Sequence, residues 1–181
     1  MAVSTARNNS AATSPQQSTD EFVLTRTFDA PRDLVWKAFT EPERLAQWFG
    51  PKGCGNLTHC AVDLRPGGVF HYCMRLPGGK DMWGKWTFRE ITPPERMVCI
   101  VSFSDENGGI TRHPFSPDWP LETLSDTTFT EADGKTTITL HWSAYDATEK
   151  ERETFNNGHA GMSQGWNGAM DQLVDYLAGA R

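Results

Sequence analysis

The chain has 181 residues, 38% of them hydrophobic and 22% charged, which at roughly 150 residues per domain points to one globular domain with a core that needs no disulfide or structural metal. Seventeen basic against twenty-three acidic side chains leave a net charge of −6, and a surface of that sign disfavours nucleic acid, because it repels phosphate instead of releasing its counterions. No apolar run nears the roughly 20 residues needed to cross a bilayer, and the N-terminus lacks the apolar stretch of a signal peptide, so no membrane partner is expected and the default location is cytoplasmic.

Residues 1–20 are Ser, Thr, Asn, Gln and Ala with few apolar side chains, and they read as a disordered tail preceding a domain over 21–181. Phe22, Leu24 and Phe28 alternate as a first strand, which Asp29-Ala30-Pro31 converts into a short helix with proline in its first turn. Leu34, Val35, Ala38 and Phe39 form the apolar stripe of that helix. Thr40-x-x-Glu43 reads as a capping box that opens a second short helix carrying Leu45, Trp48 and Phe49, and Gly50-Pro51-Lys52-Gly53 stops it.

Strand-like runs then alternate with turn chemistry at Arg65-Pro66-Gly67-Gly68, Pro77-Gly78-Gly79, Thr92-Pro93-Pro94 and Asp133-Gly134. They predict a six-strand meander at about 57–64, 69–76, 81–91, 96–104, 123–131 and 135–143. Between Asp105 and Glu122 the rhythm breaks into a Gly- and Pro-rich loop that holds Phe115 and Trp119, as a lid would.

After Ala147, Thr148-x-x-Glu151 is a second capping box, and Phe155, Met162, Trp166, Ala169, Met170, Leu173 and Leu177 recur at helical spacing. One long amphipathic helix is the reading. Gly158, Gly161, Gly165 and Gly168 lie inside it, each at a cost of roughly 1 kcal/mol against Ala. Their shared strip would let a strand, a ligand or a second copy of the chain approach closely, which leaves a homodimer open; the plainer alternative is a kink near Asn156-Asn157-Gly158.

The order βααββββββα resembles the START/Bet v 1 helix-grip fold, an α+β architecture in which a curved antiparallel sheet of about seven strands wraps a long C-terminal helix. The residues agree over nearly all of 21–178: Ala30-Pro31 before Val35-Trp36, Trp48-Phe49-Gly50-Pro51, Leu64-Arg65-Pro66-Gly67-Gly68, Pro93-Pro94-Glu95-Arg96, and Gly165-Trp166 before Asp171-Gln172-Leu173. Together they resemble the SRPBCC superfamily, in particular the branch named after the activator of Hsp90 ATPase homologue 1. The resemblance implies a cavity between sheet and helix that takes a lipid, a polyketide or another apolar small molecule, with cyclisation or dehydration catalysed there by some members. Eukaryotic Hsp90 activators carry an additional N-terminal chaperone-binding domain, for which the tail here is no substitute.

Alternation puts Phe70, Tyr72, Met74 and Leu76 on one face of the second meander strand, and Met82, Trp86 and Phe88 on one face of the third. With Trp48, Met162, Trp166 and Met170 they would make an aromatic and thioether wall; the alternative for each is ordinary core. Seven Trp and ten Phe against three Tyr suit such a wall. In the loop, Arg112 could clamp an anionic oxygen and His113 could act as acid or base, with Phe115 and Trp119 beside them. The alternative for Arg112 is a surface ion pair with Asp105, Glu106 or Asp118.

His59, Cys60, His71 and Cys73 contain zinc-ligand types, but strand geometry sends His59 and Cys60 to opposite faces, so no metal site is expected. Cys54, Cys60, Cys73 and Cys99 include no Cys-x-x-Cys pair and read as free thiols. The glycine pairs sit in hairpins without a following helix N-terminus, and no Gly-x-Ser-x-Gly occurs, so neither a nucleotide cofactor nor a serine nucleophile is indicated. The residues and the resemblance together imply three functions: binding of an apolar or aromatic small molecule, a cyclase- or dehydratase-like enzyme using the same cavity, or a protein-interaction, co-chaperone-like module with a solidly filled interior.

Overall fold

The computed structural model describes residues 20–53 and 56–180. The tail expected over residues 1–20 lies outside them except for Asp20, and so does Cys54. The chain forms β1 (Glu21–Phe28), α1 (Arg32–Thr40), α2 (Pro42–Trp48), β2 (His59–Val62), β3 (Val69–Arg75), β4 (Asp81–Thr92), β5 (Arg96–Ser104), β6 (Ile110–Thr111), β7 (Glu122–Ala132), β8 (Lys135–Tyr145), α3 (Glu149–Asn157) and α4 (His159–Gly179). All strand pairs are antiparallel and run β1-β8-β7-β5-β4-β3-β2, with β6 added beside β5. The eighth strand is the two-residue β6, which falls inside the long loop expected to be irregular.

Register decides which side chains meet on the concave face. Phe70, Trp86, Val101 and Thr123 stand side by side across β3, β4, β5 and β7, and Phe88, Cys99, Ser125, Trp142 and Phe22 form the next row. A register shift between Phe88 and Glu90 adds one residue to β4. This bulge resets the alternation, so that Ile91 pairs with Met97 and packs against the same core as Phe88. The buried hydroxyls of β7 find partners locally: Thr123 Oγ1 donates to Val101 O at 3.4 Å, and Ser125 Oγ lies 3.4 Å from Thr127 Oγ1.

α1 follows Pro31, whose extended backbone caps it, and it turns Val35, Trp36, Ala38 and Phe39 inward. Trp36 and Phe39 both meet Phe129 edge-on, with ring centroids 5.2 and 5.3 Å apart. The expected capping box at Thr40 does not form. Thr40 Oγ1 donates back to Trp36 O at 2.8 Å, and α2 begins one residue later, with Glu41 as cap and Pro42 in its first turn. Proline prefers that first position, where its missing N–H costs nothing, and this preference sets the boundary.

The second capping box is present: Glu151 N donates to Thr148 Oγ1 at 3.3 Å and Thr148 N donates to Glu151 Oε2 at 2.8 Å. The expected single helix is two, divided at Gly158, where the alternative reading put a kink. A Cβ at Gly158 would lie 2.6 Å from Trp119 Cζ3, so the glycine leaves room for an indole from the long loop at the point of division. α4 buries Ala169, Met170, Leu173 and Leu177 against the sheet. Gln172 Nε2 ties it to the end of α2 by donating to Trp48 O at 3.0 Å and Gly50 O at 2.6 Å.

Candidate functional site

Curvature of the sheet keeps its upper half away from the N-terminal half of α4 and leaves a cavity of about 400 Å³. Tyr72 and Met74 of β3, Trp86 of β4, Val101 and Phe103 of β5, and Trp142 of β8 form its sheet side. Met162, Trp166 and Ala169 of α4 form the opposite side, where Gly161 and Gly165 widen the space: a Cβ at either would meet nothing within 4 Å. Phe49-Gly50-Pro51 closes one end, and His113, Trp119 and Pro120 from the long loop close the mouth.

The wall is held by edge-on aromatic packing. Phe49 is at its centre, 5.1 Å from Tyr72, 5.6 Å from Trp86 and 6.2 Å from Trp166. Trp142 meets Trp166 at 5.5 Å, and its Nε1 donates to Ser125 Oγ, which fixes the ring from behind. Tyr72 lies across Gly84 of β4, where any Cβ would come within 2.5 Å of its hydroxyl. A glycine in a strand interior is otherwise unfavourable, and here it makes room for the ring.

Among the described residues that line the cavity, none carries a full charge at neutral pH. Burial lowers the pKa of His113, which favours the neutral imidazole. Its Nδ1 accepts from Phe115 N at 3.0 Å, so the neutral ring carries its proton on Nε2. Burial also pushes the Tyr72 phenol up to about 12.

Arg112 points away from this space. Its guanidinium donates to Glu151 Oε1 and, at 3.2 Å, to Trp119 O. None of the ion-pair partners expected for it is the one used: Asp118 pairs with Lys150 at 2.9 Å, and Asp105 accepts from the amides of Asn107 and Gly109 within its own hairpin. The Arg112 guanidinium, with the Thr148 amide, holds the Glu151 carboxyl down at about 2. Arg112 is therefore a latch, joining the loop that covers the mouth to the first turn of α3, while Trp119 packs on Phe155 and Gly158.

Of the residues singled out in the sequence, Tyr72, Met74, Trp86, His113, Trp119, Met162 and Trp166 converge on the cavity. Phe70, Trp48 and Phe88 are buried in the core outside its lining, Phe70 behind Tyr72 and Trp86, and Trp48 behind Phe49 with its Nε1 donating to Ala38 O at 2.9 Å. Phe115 is 63% exposed, beneath Lys80 Nζ on the outside. Phe49, Val101, Phe103 and Trp142 line the space without having been singled out for it. Trp142 continues the alternation Thr136, Ile138, Leu140, all buried, and that pattern in β8 is the signal that marks it.

On the convex face His59 and His71 lie 5.1 Å apart, and Trp83 stacks on His71. Cys60 faces the other way and donates to Pro42 O. Among the described residues no group of three or more His, Cys, Asp or Glu could hold a metal ion, and no helix is long and apolar enough to cross a membrane.

No curated protein matches the chain. Solved structures do. Protein NE0264 of Nitrosomonas europaea is 26% identical over 91% of this chain and 98% of its own, with a TM-score of 0.71. Protein Ms6760 of Mycobacterium smegmatis is 27% identical over 88% of this chain and 91% of its own, with a TM-score of 0.72. CalU16 of Micromonospora echinospora shares the fold at 21% identity and a TM-score of 0.54, over 87% of this chain and 75% of its own. The family described as "Activator of Hsp90 ATPase homolog 1-like protein" matches residues 29–178, from α1 through all but the last residue of α4, and the chain belongs to that family.

Proposed function

We propose that this protein binds a neutral, largely apolar or aromatic small molecule in the cavity between the sheet and α4. One observation carries the reading: about 400 Å³ of space bounded by Trp86, Trp119, Trp142, Trp166, Phe49, Phe103 and two methionines, with no charged side chain among the described residues around it. A space of this size falls within the range of small-molecule pockets, and thioethers adapt to guests of irregular outline. A solidly filled interior would have favoured a pure interaction module; the open one supports a ligand. The loop latched through Arg112 and Glu151 suits a protein that encloses what it carries.

Native mass spectrometry of protein purified from its own host tests this directly. The expected result is a non-covalent mass increment that is lost on denaturation. If the protein carries no such increment and does not take up an apolar fluorescent dye, the reading is wrong.

A further inference from the structure

Among the described residues, three side-chain donors in the cavity wall lack an acceptor; the Ser102 and Thr123 hydroxyls also line it, and that of Thr123 is spent on Val101 O. The Tyr72 hydroxyl has no acceptor among the described residues, and the neighbouring Trp86 indole N–H completes no hydrogen bond to its oxygen. Trp86 Nε1 is itself buried without a hydrogen-bond partner of good geometry. His113 has Nδ1 occupied by the Phe115 amide, which leaves Nε2–H unpartnered at the mouth. Each of these groups can donate a proton, whereas the Gly50 carbonyl at the closed end is already taken by Gln172. A donor shut off from water without an acceptor is costly, as at Trp86 Nε1, and a guest that displaces water from Tyr72 and His113 puts their donors in the same state unless one of its own atoms accepts from them.

Resting on the cavity as a ligand site, we infer that Tyr72 and His113 select guests that bear an uncharged acceptor oxygen, an aromatic ketone or aldehyde type of molecule, over hydrocarbons of the same shape and over carboxylates. A carboxylate would also accept from these donors, but among the described residues no Lys or Arg lines the space to compensate its charge. Recognition by unpaired donors is also the more discriminating kind, because a guest lacking the acceptor leaves them buried and unsatisfied.

The test uses three probes: 2-acetonaphthone, its near-isostere 2-isopropenylnaphthalene, in which a methylene replaces the oxygen, and 2-naphthoate. Dissociation constants are measured by calorimetry for the full chain and for Tyr72→Phe and His113→Phe, with near-UV circular dichroism to establish that each variant is folded. The ketone should weaken about tenfold in at least one variant, equivalent to about 1.4 kcal/mol, while the olefin changes less than about twofold; the wild type should bind naphthoate at least about tenfold more weakly than the ketone. Equal losses for ketone and olefin, or naphthoate binding as tightly as the ketone, would overturn the inference while leaving the cavity a ligand site. If the wild type binds none of the three, the ligand site itself is refuted, and the selectivity with it.

Discussion

Replacing Gly161 and Gly165 together by alanine should stabilise the empty protein and weaken its hold on a guest. Each glycine in a helix interior costs about 0.8–1.0 kcal/mol against alanine, and at both positions a Cβ meets nothing within 4 Å, so no clash offsets the gain. The pair should therefore add about 2 kcal/mol, which for a chain of this size corresponds to a rise of about 4–8 °C in Tm. Gly158→Ala provides the contrast, since its Cβ would lie 2.6 Å from Trp119 Cζ3 and 3.2 Å from Phe155 O. Displacing a packed indole costs typically about 1–3 kcal/mol, so this variant should melt below wild type. Thermal denaturation followed by far-UV circular dichroism measures both, and titration with 2-acetonaphthone measures the guest. A double variant no more stable than wild type would show that the strip is not open space, and one that is stabilised yet binds undiminished would show that the glycines do not serve the ligand.

Glu151→Gln should cost about 2 kcal/mol at neutral pH, the scale of hydrogen bonds to a charged group. Because the Glu151 pKa is lowered from 4.5 to about 2, the carboxylate's contribution is complete above pH 4.5 and is lost as pH falls toward 2; the Tm gap between wild type and variant should close across that window, and a gap independent of pH refutes the latch. Trp166→Ala should destabilise by less than the roughly 3–5 kcal/mol of a fully enclosed aromatic, because Trp166 is only half-buried at the cavity; a chemical-denaturation midpoint unchanged from wild type would mean that it contributes no packing. Burial raises the Cys60 and Cys99 thiols to about 11 and 12, so neither should react with a disulfide reagent at pH 8 until the protein unfolds. Peptide mapping that finds either one labelled within minutes in the native state contradicts their placement.

Local signals made most of the fold legible. Alternation located most of the long strands because a half-buried sheet imposes a period of two, whereas Arg96–Ser104, buried almost throughout, was delimited to the residue as a short apolar run. The Thr148 capping box was readable because its two hydrogen bonds join residues three apart, whereas Thr40 carried the same signature beside a proline whose preference prevailed. The cavity was only half legible. Tyr72, Met74 and Trp86 follow from strand parity, but Phe49 and Phe103 line it through the curvature of the sheet and the path of the chain after α2, which no local pattern encodes. The division at Gly158 was legible as the alternative kink after Asn156-Asn157, but the Trp119 that packs there and the Glu151 that latches Arg112 each lie some forty residues from their partner in sequence.

Burial pushes the Tyr72 phenol up to about 12, because these surroundings disfavour an anion. An ordinary phenol ionises near 10, and a guest hydroxyl set beside Tyr72 would feel the same penalty on its anion. Such a guest would bind in its neutral form and draw a proton from alkaline solution as it enters.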